Sequence, residues 1–380
     1  MRKIRVFRKD CEISVFFSPK MAKQMEISHI CYMEEKRMRE YRNETEQNDM
    51  KKTDQMLEKY PESLYLFIRG IEFHTTPKTR LEYVKNIGIY LEYIADQDGI
   101  VPKDVTPERL EQVTKTYIEE YLHYLRYYER NGKVYTNSDV SIKRKLAALR
   151  SYYSFMFDHN MIRVNEMSKI KLPKLRDKEI IRMDTEETRD FVNTVQNGGK
   201  ISKHAAAYHD KLVDRDLAIT YLLLSTGIRI SELVGLDMDD IDIERRSIQI
   251  IRKGGKESTV WFSDEASEFL EIYIEKRKHI PSESKALFLS SQKKRMAPRS
   301  VEYVIKKYAR QAVPLKNLKV HSMRSSYASN LYNKTGDIYL VAEILGHSDI
   351  STTRKHYASL SEQRKKEARN ALPINDEKNS

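Results

Sequence analysis

With 380 residues, 40% of them hydrophobic and 33% charged, the chain is long enough for two domains and a sizeable core. A formal charge of +12 favours polyanionic partners, nucleic acid before anionic membrane. The longest apolar stretch, LAITYLLL at 217–224, is too short to span a bilayer, and the apolar run near the basic N-terminus is too short for a secretory signal, so a cytoplasmic protein without membrane contact is expected.

Residues 1–52 read as a poorly ordered leader, with weak apolar periodicity and polar residues dominating its end. Both cysteines, Cys11 and Cys31, fall there without a partner at metal-ligand spacing, so neither a metal site nor a disulfide scaffold is expected. Residues 53–162 read as a helical domain. Thr76-Pro77 is a helix start, with Thr as cap and Pro at the first helical position. Leu81, Val84, Ile87, Leu91 and Ile94 then recur at helical spacing. Thr106-Pro107 repeats the start signal, and Tyr117, Tyr121, Leu122 and Leu125 form another stripe. Asn137-Ser138 opens a long helix with Ile142, Leu146, Leu149, Tyr153 and Phe157 as its apolar face. Lys143, Arg144, Lys145 and Arg150 lie off that face. They form either a solvated basic surface or a set of phosphate contacts.

The polar, basic stretch 163–178 around Pro173 reads as an interdomain linker. A second domain is expected over 179–380. MDTEETRDFVNTV opens it as a helix capped by Asp184 or Thr185, and DRDLAITYLLLSTG is a buried helix ended by Gly227. SIQIIRKGGKESTVWF alternates on both sides of Gly254-Gly255 and predicts a β-hairpin. EASEFLEIYIEKRK and PRSVEYVIKKYARQA are helices, and the remainder is helical with breaks at Gly336 and Gly346. The fold class is therefore mainly α with a small β-hairpin or sheet in the second domain.

Six residues of the last third stand out: Arg229, Lys256, His321, Arg324, His347 and Tyr357. Arg229 precedes a short helix, where a cation opposes the helix dipole, and a bound phosphate would relieve that conflict. Glu232, one turn on, is placed to hold its guanidinium. His321 and Arg324 are three apart and share a helix face. Lys256 follows the hairpin turn, with Lys253 as its competitor. Tyr357 is one of 24 tyrosines, so its position after His347 is what singles it out.

The segments TGIRISELVGL, RKGGKEST, HSMRSSYASNLY and LGHSDISTTRKHYA resemble, in this order, the boxes of the tyrosine recombinase (phage integrase) family, and most of all single-protein Xer-type members. The segment RKLAALRSYYSFM resembles a helix of that family's core-binding domain. The resemblance spans about residues 60–370 and implies a two-domain DNA clamp. Two features depart from the family pattern. Ser325 stands where many members carry histidine, and Tyr357 lies one residue further from His347 than the commoner spacing.

The resemblance also implies roles. Arg229 and Arg324 would clamp the scissile phosphate, and Tyr357 would attack it to form a 3′-phosphotyrosyl link. His321 would act as base, His347 would hydrogen-bond the phosphate, and Lys256 would be the general acid. Neither metal nor cofactor is implied. The expected partners are a double-stranded target site and three further copies of the chain, in a tetramer that passes through a Holliday junction. The helix SEQRKKEARNAL would dock on a neighbouring subunit. The biological setting is chromosome dimer resolution or movement of a mobile element. The rival readings are type IB topoisomerase-like relaxation and a non-catalytic DNA-binding protein of the same fold.

Overall fold

The computed structural model describes residues 2–8, 11–17, 41–130, 132–172, 180–199, 203–252 and 255–346, with backbone only for 2–8, 11–17 and 203–205. Strands β1 (Arg2–Arg8) and β2 (Cys11–Phe17) pair antiparallel inside the stretch read as a leader. The rest of the described chain forms two compact units, divided between Lys178 and Glu179. Among the described residues, no helix is long and apolar enough to cross a membrane.

The first unit is helical: α1 (41–57), α2 (Glu62–Gly70), α3 (Pro77–Asp98), α4 (Pro107–Glu111), α5 (Lys115–Tyr124) and, after two short strands, α6 (Asp139–Asp158). Its start signals work as the residues dictate. The hydroxyls of Thr76, Thr106 and Ser138 accept the first-turn amides of Thr79, Arg109 and Ser141. The α3 stripe, Leu81 to Ile94, is buried throughout. Tyrosines fill much of this core. The Tyr90 and Tyr153 hydroxyls bond at 2.8 Å, Tyr152 meets Ser63 at 2.6 Å, and Tyr90 and Tyr121 pack edge to face at 4.8 Å.

Four expectations for this region need correction. Helix α1 covers 41–57 of the described residues, so the end of the stretch read as a leader is helical. An antiparallel hairpin, β3 (Tyr127–Arg130) with β4 (Lys133–Thr136), interrupts what reads as helices alone. Its signal was present in the sequence as Asn131-Gly132 between Tyr- and Val-bearing runs. The core does not stop at 162: Met167 and Ile170 are buried with Ile162 in the same cluster, which ties the first part of the supposed linker to this unit.

The fourth correction concerns the basic face of α6. Lys145 is only 8% exposed, and its ammonium donates to Asn137 at 3.0 Å and Ser141 at 3.2 Å. Burial, and then the charge of Arg144, lowers its pKa. Arg150 turns to the Ile170 carbonyl. Arg144 is exposed and Lys143 half-buried, while Phe157, expected inside, is 46% exposed and Met156 takes the core position.

The second unit holds α7 (Thr185–Asn197), α8 (Lys203–Thr226), α9 (Ile230–Gly235), β5 (Ile241–Asp242), β6 (Ser247–Ile251), β7 (Glu257–Trp261), α10 (Asp264–Lys278), α11 (Pro298–Ala312), α12 (Val320–Thr335) and α13 (Ile338–Leu345). Asp184 caps α7 in a reciprocal pair with Glu187. The expected hairpin is present with Ile248 opposite Val260 and gains β5 as a third strand. Helices pack around α8, which carries the buried Leu217, Ile219, Leu222 and Leu223. Gly227, Gly336 and Gly346 end α8, α12 and α13 with φ of 61°, 74° and 63°.

Candidate functional site

Arg229 and Arg324 meet at one helix end. Arg229 immediately precedes α9, and its backbone N–H and guanidinium donate to the two carboxylate oxygens of Glu232 at 2.7 Å and 2.9 Å. The Glu232 side chain is 3% exposed and that of Arg229 is 35% exposed, so the carboxylate fixes an arginine that still faces solvent. The other terminal nitrogen of Arg229 reaches the Gly346 carbonyl at 3.3 Å. Arg324, on α12 and 5% exposed, donates to the Gly227 carbonyl and, at 2.6 Å, to the Leu345 carbonyl. It thereby ties the end of α8 to the end of α13.

A third guanidinium joins them. Arg252, at the end of β6 and 9% exposed, donates to the carbonyls of Leu345 and Ile344, both at 2.7 Å. The last carbonyls of a helix have no partner inside it and carry the negative end of its dipole, so cations settle there. Burial lowers the Arg252 pKa, with Glu232 opposing that shift and Arg229 adding to it. The guanidinium remains charged at any ordinary pH. Three cations thus surround the end of α13, and the only carboxylate among the contacts just named is Glu232.

The local backbone makes this approach possible. At Gly227 a Cβ would lie 2.5 Å from the Tyr327 ring, and at Gly346 one would lie 2.5 Å from an Arg252 nitrogen. Both positions also have positive φ, which glycine adopts without strain.

The remaining sequence candidates are distributed as follows. His321 is exposed in the first turn of α12, one turn before Arg324. Lys256 is exposed at the foot of the hairpin, and its carbonyl accepts the Arg252 amide at 2.8 Å. Lys253, His347, Tyr357 and the SEQRKKEARNAL segment lie outside the described residues. Arg252 was not singled out in the sequence. Its only sign there is position, beside the lysines of the hairpin turn.

Among the described residues, no group of three or more His, Cys, Asp or Glu side chains could hold a metal ion. A separate cavity of about 310 Å³ is lined by Arg215, Arg299, Tyr303, Lys307 and Tyr308, none of which belongs to the arginine cluster. Arg324 and Arg252 are nearly buried and Arg229 is part-exposed, so Arg229 presents a guanidinium to solvent that Glu232 already holds in place.

Residues 182–364 match the phage integrase family. A tyrosine recombinase XerC of Treponema denticola is 30% identical over 237 residues, covering 59% of this chain and 74% of that protein. A XerC of Caldanaerobacter subterraneus subsp. tengcongensis is 27% identical over 334 residues, 84% of this chain and 89% of that protein. Among solved structures, XerH site-specific recombinase bound to palindromic difH substrate, a post-cleavage complex, has a TM-score of 0.59 at 20% identity, covering 77% of this chain and 79% of that one. The Tn1549 transposon integrase in complex with transposon right end DNA has a TM-score of 0.58 at 19% identity, covering 82% of this chain and 99% of that one. At those identities the two structures establish a shared fold.

Proposed function

This chain belongs to the phage integrase family as a tyrosine-type site-specific recombinase, and from that premise we propose that Arg229 and Arg324 grip the scissile phosphate of a DNA duplex. The observation that supports this is the convergence of Arg229 and Arg324 on the carbonyls of two consecutive residues, Gly346 and Leu345. Their guanidiniums then sit beside the non-bridging oxygens and stabilise the charge that builds on phosphorus.

The chemistry proceeds by transesterification. The Tyr357 oxygen attacks phosphorus and its proton passes to His321. The bond to the 5′ oxygen breaks, and that oxygen takes a proton from a hairpin lysine, Lys256 or its neighbour Lys253. The resemblance of LGHSD to the family's third box gives His347 a hydrogen bond to the phosphate. The phosphotyrosyl bond conserves the phosphodiester energy, so a 5′ hydroxyl from a second duplex reverses the attack and exchanges strands. Lys143 and Arg144 add sequence-independent phosphate contacts. Four copies act on two sites.

A covalent trap tests this reading. The protein is mixed with fragmented DNA and denatured, and attached fragments are recovered, with Tyr357→Phe run alongside. Attachment by the wild type alone, to fragments sharing one sequence, is expected. Equal recovery with Tyr357→Phe would remove Tyr357 as the nucleophile. Relaxation of supercoiled DNA without exchange between two sites would favour the topoisomerase-like reading.

A further inference from the structure

Four observations single out Arg252. It is a nearly buried cation on a strand end, where an apolar side chain would fill the space without the cost of desolvating a charge. Its two terminal nitrogens bond the carbonyls of consecutive residues, Ile344 and Leu345, and the Leu345 carbonyl is shared with Arg324. Its backbone N–H holds the carbonyl of Lys256 and its carbonyl accepts the Gly255 N–H, which closes the base of the hairpin turn bearing Lys253 and Lys256. The side chain also lies across Gly346, where a Cβ would meet its Nη1 at 2.5 Å, its Cδ at 2.6 Å and its Cζ at 2.9 Å.

We infer that Arg252 is a positioning residue that locks the lysine-bearing hairpin turn onto the arginine cluster, and so sets the distance between the general acid and the phosphate. The inference rests on the phosphate-gripping reading above. A hairpin turn pinned only by its own ladder would swing with its strands. One pinned by two charge-assisted bonds to the end of α13 moves with the helix end whose Leu345 carbonyl also holds Arg324 and whose next carbonyl, of Gly346, holds Arg229. The lysine then stays within reach of the leaving 5′ oxygen throughout the reaction. Misplacement of a proton donor by a fraction of its reach is penalised steeply in rate while leaving ground-state binding intact.

The test uses the full chain and the duplex recovered in the covalent trap, in two forms. One carries the natural 5′ oxygen at the scissile phosphate, and the other carries sulfur there, a leaving group that departs without a proton. Wild type, Arg252→Leu and Arg252→Lys are compared for DNA affinity and for the single-turnover rate of phosphotyrosyl adduct formation. The expected result for Arg252→Leu is unchanged affinity, an adduct rate lower on the order of 10²-fold with the oxygen substrate, and recovery of most of that loss with sulfur. Arg252→Lys, which reaches one carbonyl, should fall between. It also keeps the test decisive if the leucine variant does not fold. Wild-type rates in the variants, or a slow rate that sulfur leaves unrepaired, would overturn the inference. A wild type that attaches no DNA in the covalent trap would instead condemn the phosphate-gripping reading.

Discussion

Arg229 and Glu232 show how one carboxylate can prepare a cation for a ligand. Glu232 accepts both the backbone amide and the guanidinium of Arg229, so the side chain is oriented while more than a third of it remains in solvent. Replacing Glu232 by Gln keeps one acceptor and removes the charge. We expect adduct formation to slow by more than DNA affinity falls, because the loss is of orientation in the transition state. Arg229→Lys should be worse than a conservative exchange suggests, since an ammonium cannot satisfy Glu232, the Gly346 carbonyl and a phosphate with one planar fork. Equal single-turnover rates for wild type and Arg229→Lys would contradict this.

At the scale of elements, the site is made by helix ends. The α8–α9 turn passes through Gly227, which has φ of 61° and has the Tyr327 ring against the space a Cβ would take. Gly227→Ala should therefore destabilise the second unit by about 1–3 kcal/mol from backbone strain, with crowding added, read as a lower urea midpoint. The tyrosine core of the first unit makes a separate prediction. Burial raises the pKa of Tyr90, Tyr121, Tyr152 and Tyr153, and pushes Tyr117 up to about 12. In the unfolded chain these phenols ionise near about pH 10. The folded state keeps protons that the unfolded state has lost. The stability these groups contribute is thus complete below about pH 10 and drains away above it, by about 1.4 kcal/mol per pH unit for each tyrosine. Denaturant titrations across that range, with tyrosinate absorbance followed in parallel, should show the exposed phenols, Tyr127, Tyr303 and Tyr339 among them, ionising first and the buried ones only together with unfolding. The difference in tyrosinate absorbance between wild type and Tyr153→Phe should appear only on unfolding, and ionisation of Tyr153 in a chain that stays folded would refute it.

For the whole molecule, the +12 charge sets the terms of DNA binding. Each phosphate neutralised releases a counterion, so the logarithm of the association constant should fall linearly with that of salt concentration, with a slope of about −0.9 per contact. Lys143→Ala with Arg144→Ala should make that slope shallower by about two and weaken all duplexes alike. Lys145→Met should leave the slope unchanged, because that ammonium is already spent on Asn137 and Ser141. A shallower slope in Lys145→Met would show that it reaches DNA after all.

Much of this protein was written in local sequence. Caps at Thr76, Ser138 and Asp184, the 81–94 stripe and the 247–261 hairpin depend on residues a few positions apart, and neighbours in sequence are enough to specify them. The recombinase boxes were likewise legible, because order and spacing along the chain carry them. Tertiary structure decided which cations turn inward. A helical period marks the apolar stripe of α6, but whether its flanks are covered depends on Asn137 and Ile170, which no local pattern specifies. The same holds at the site. Arg252 looks like one more surface cation of the hairpin turn until α13 brings two helix-end carbonyls to it from 92 and 93 residues away. A long polar side chain is buried only where distant backbone can satisfy it, and the distance between those partners along the chain keeps such pairings out of reach of sequence periodicity.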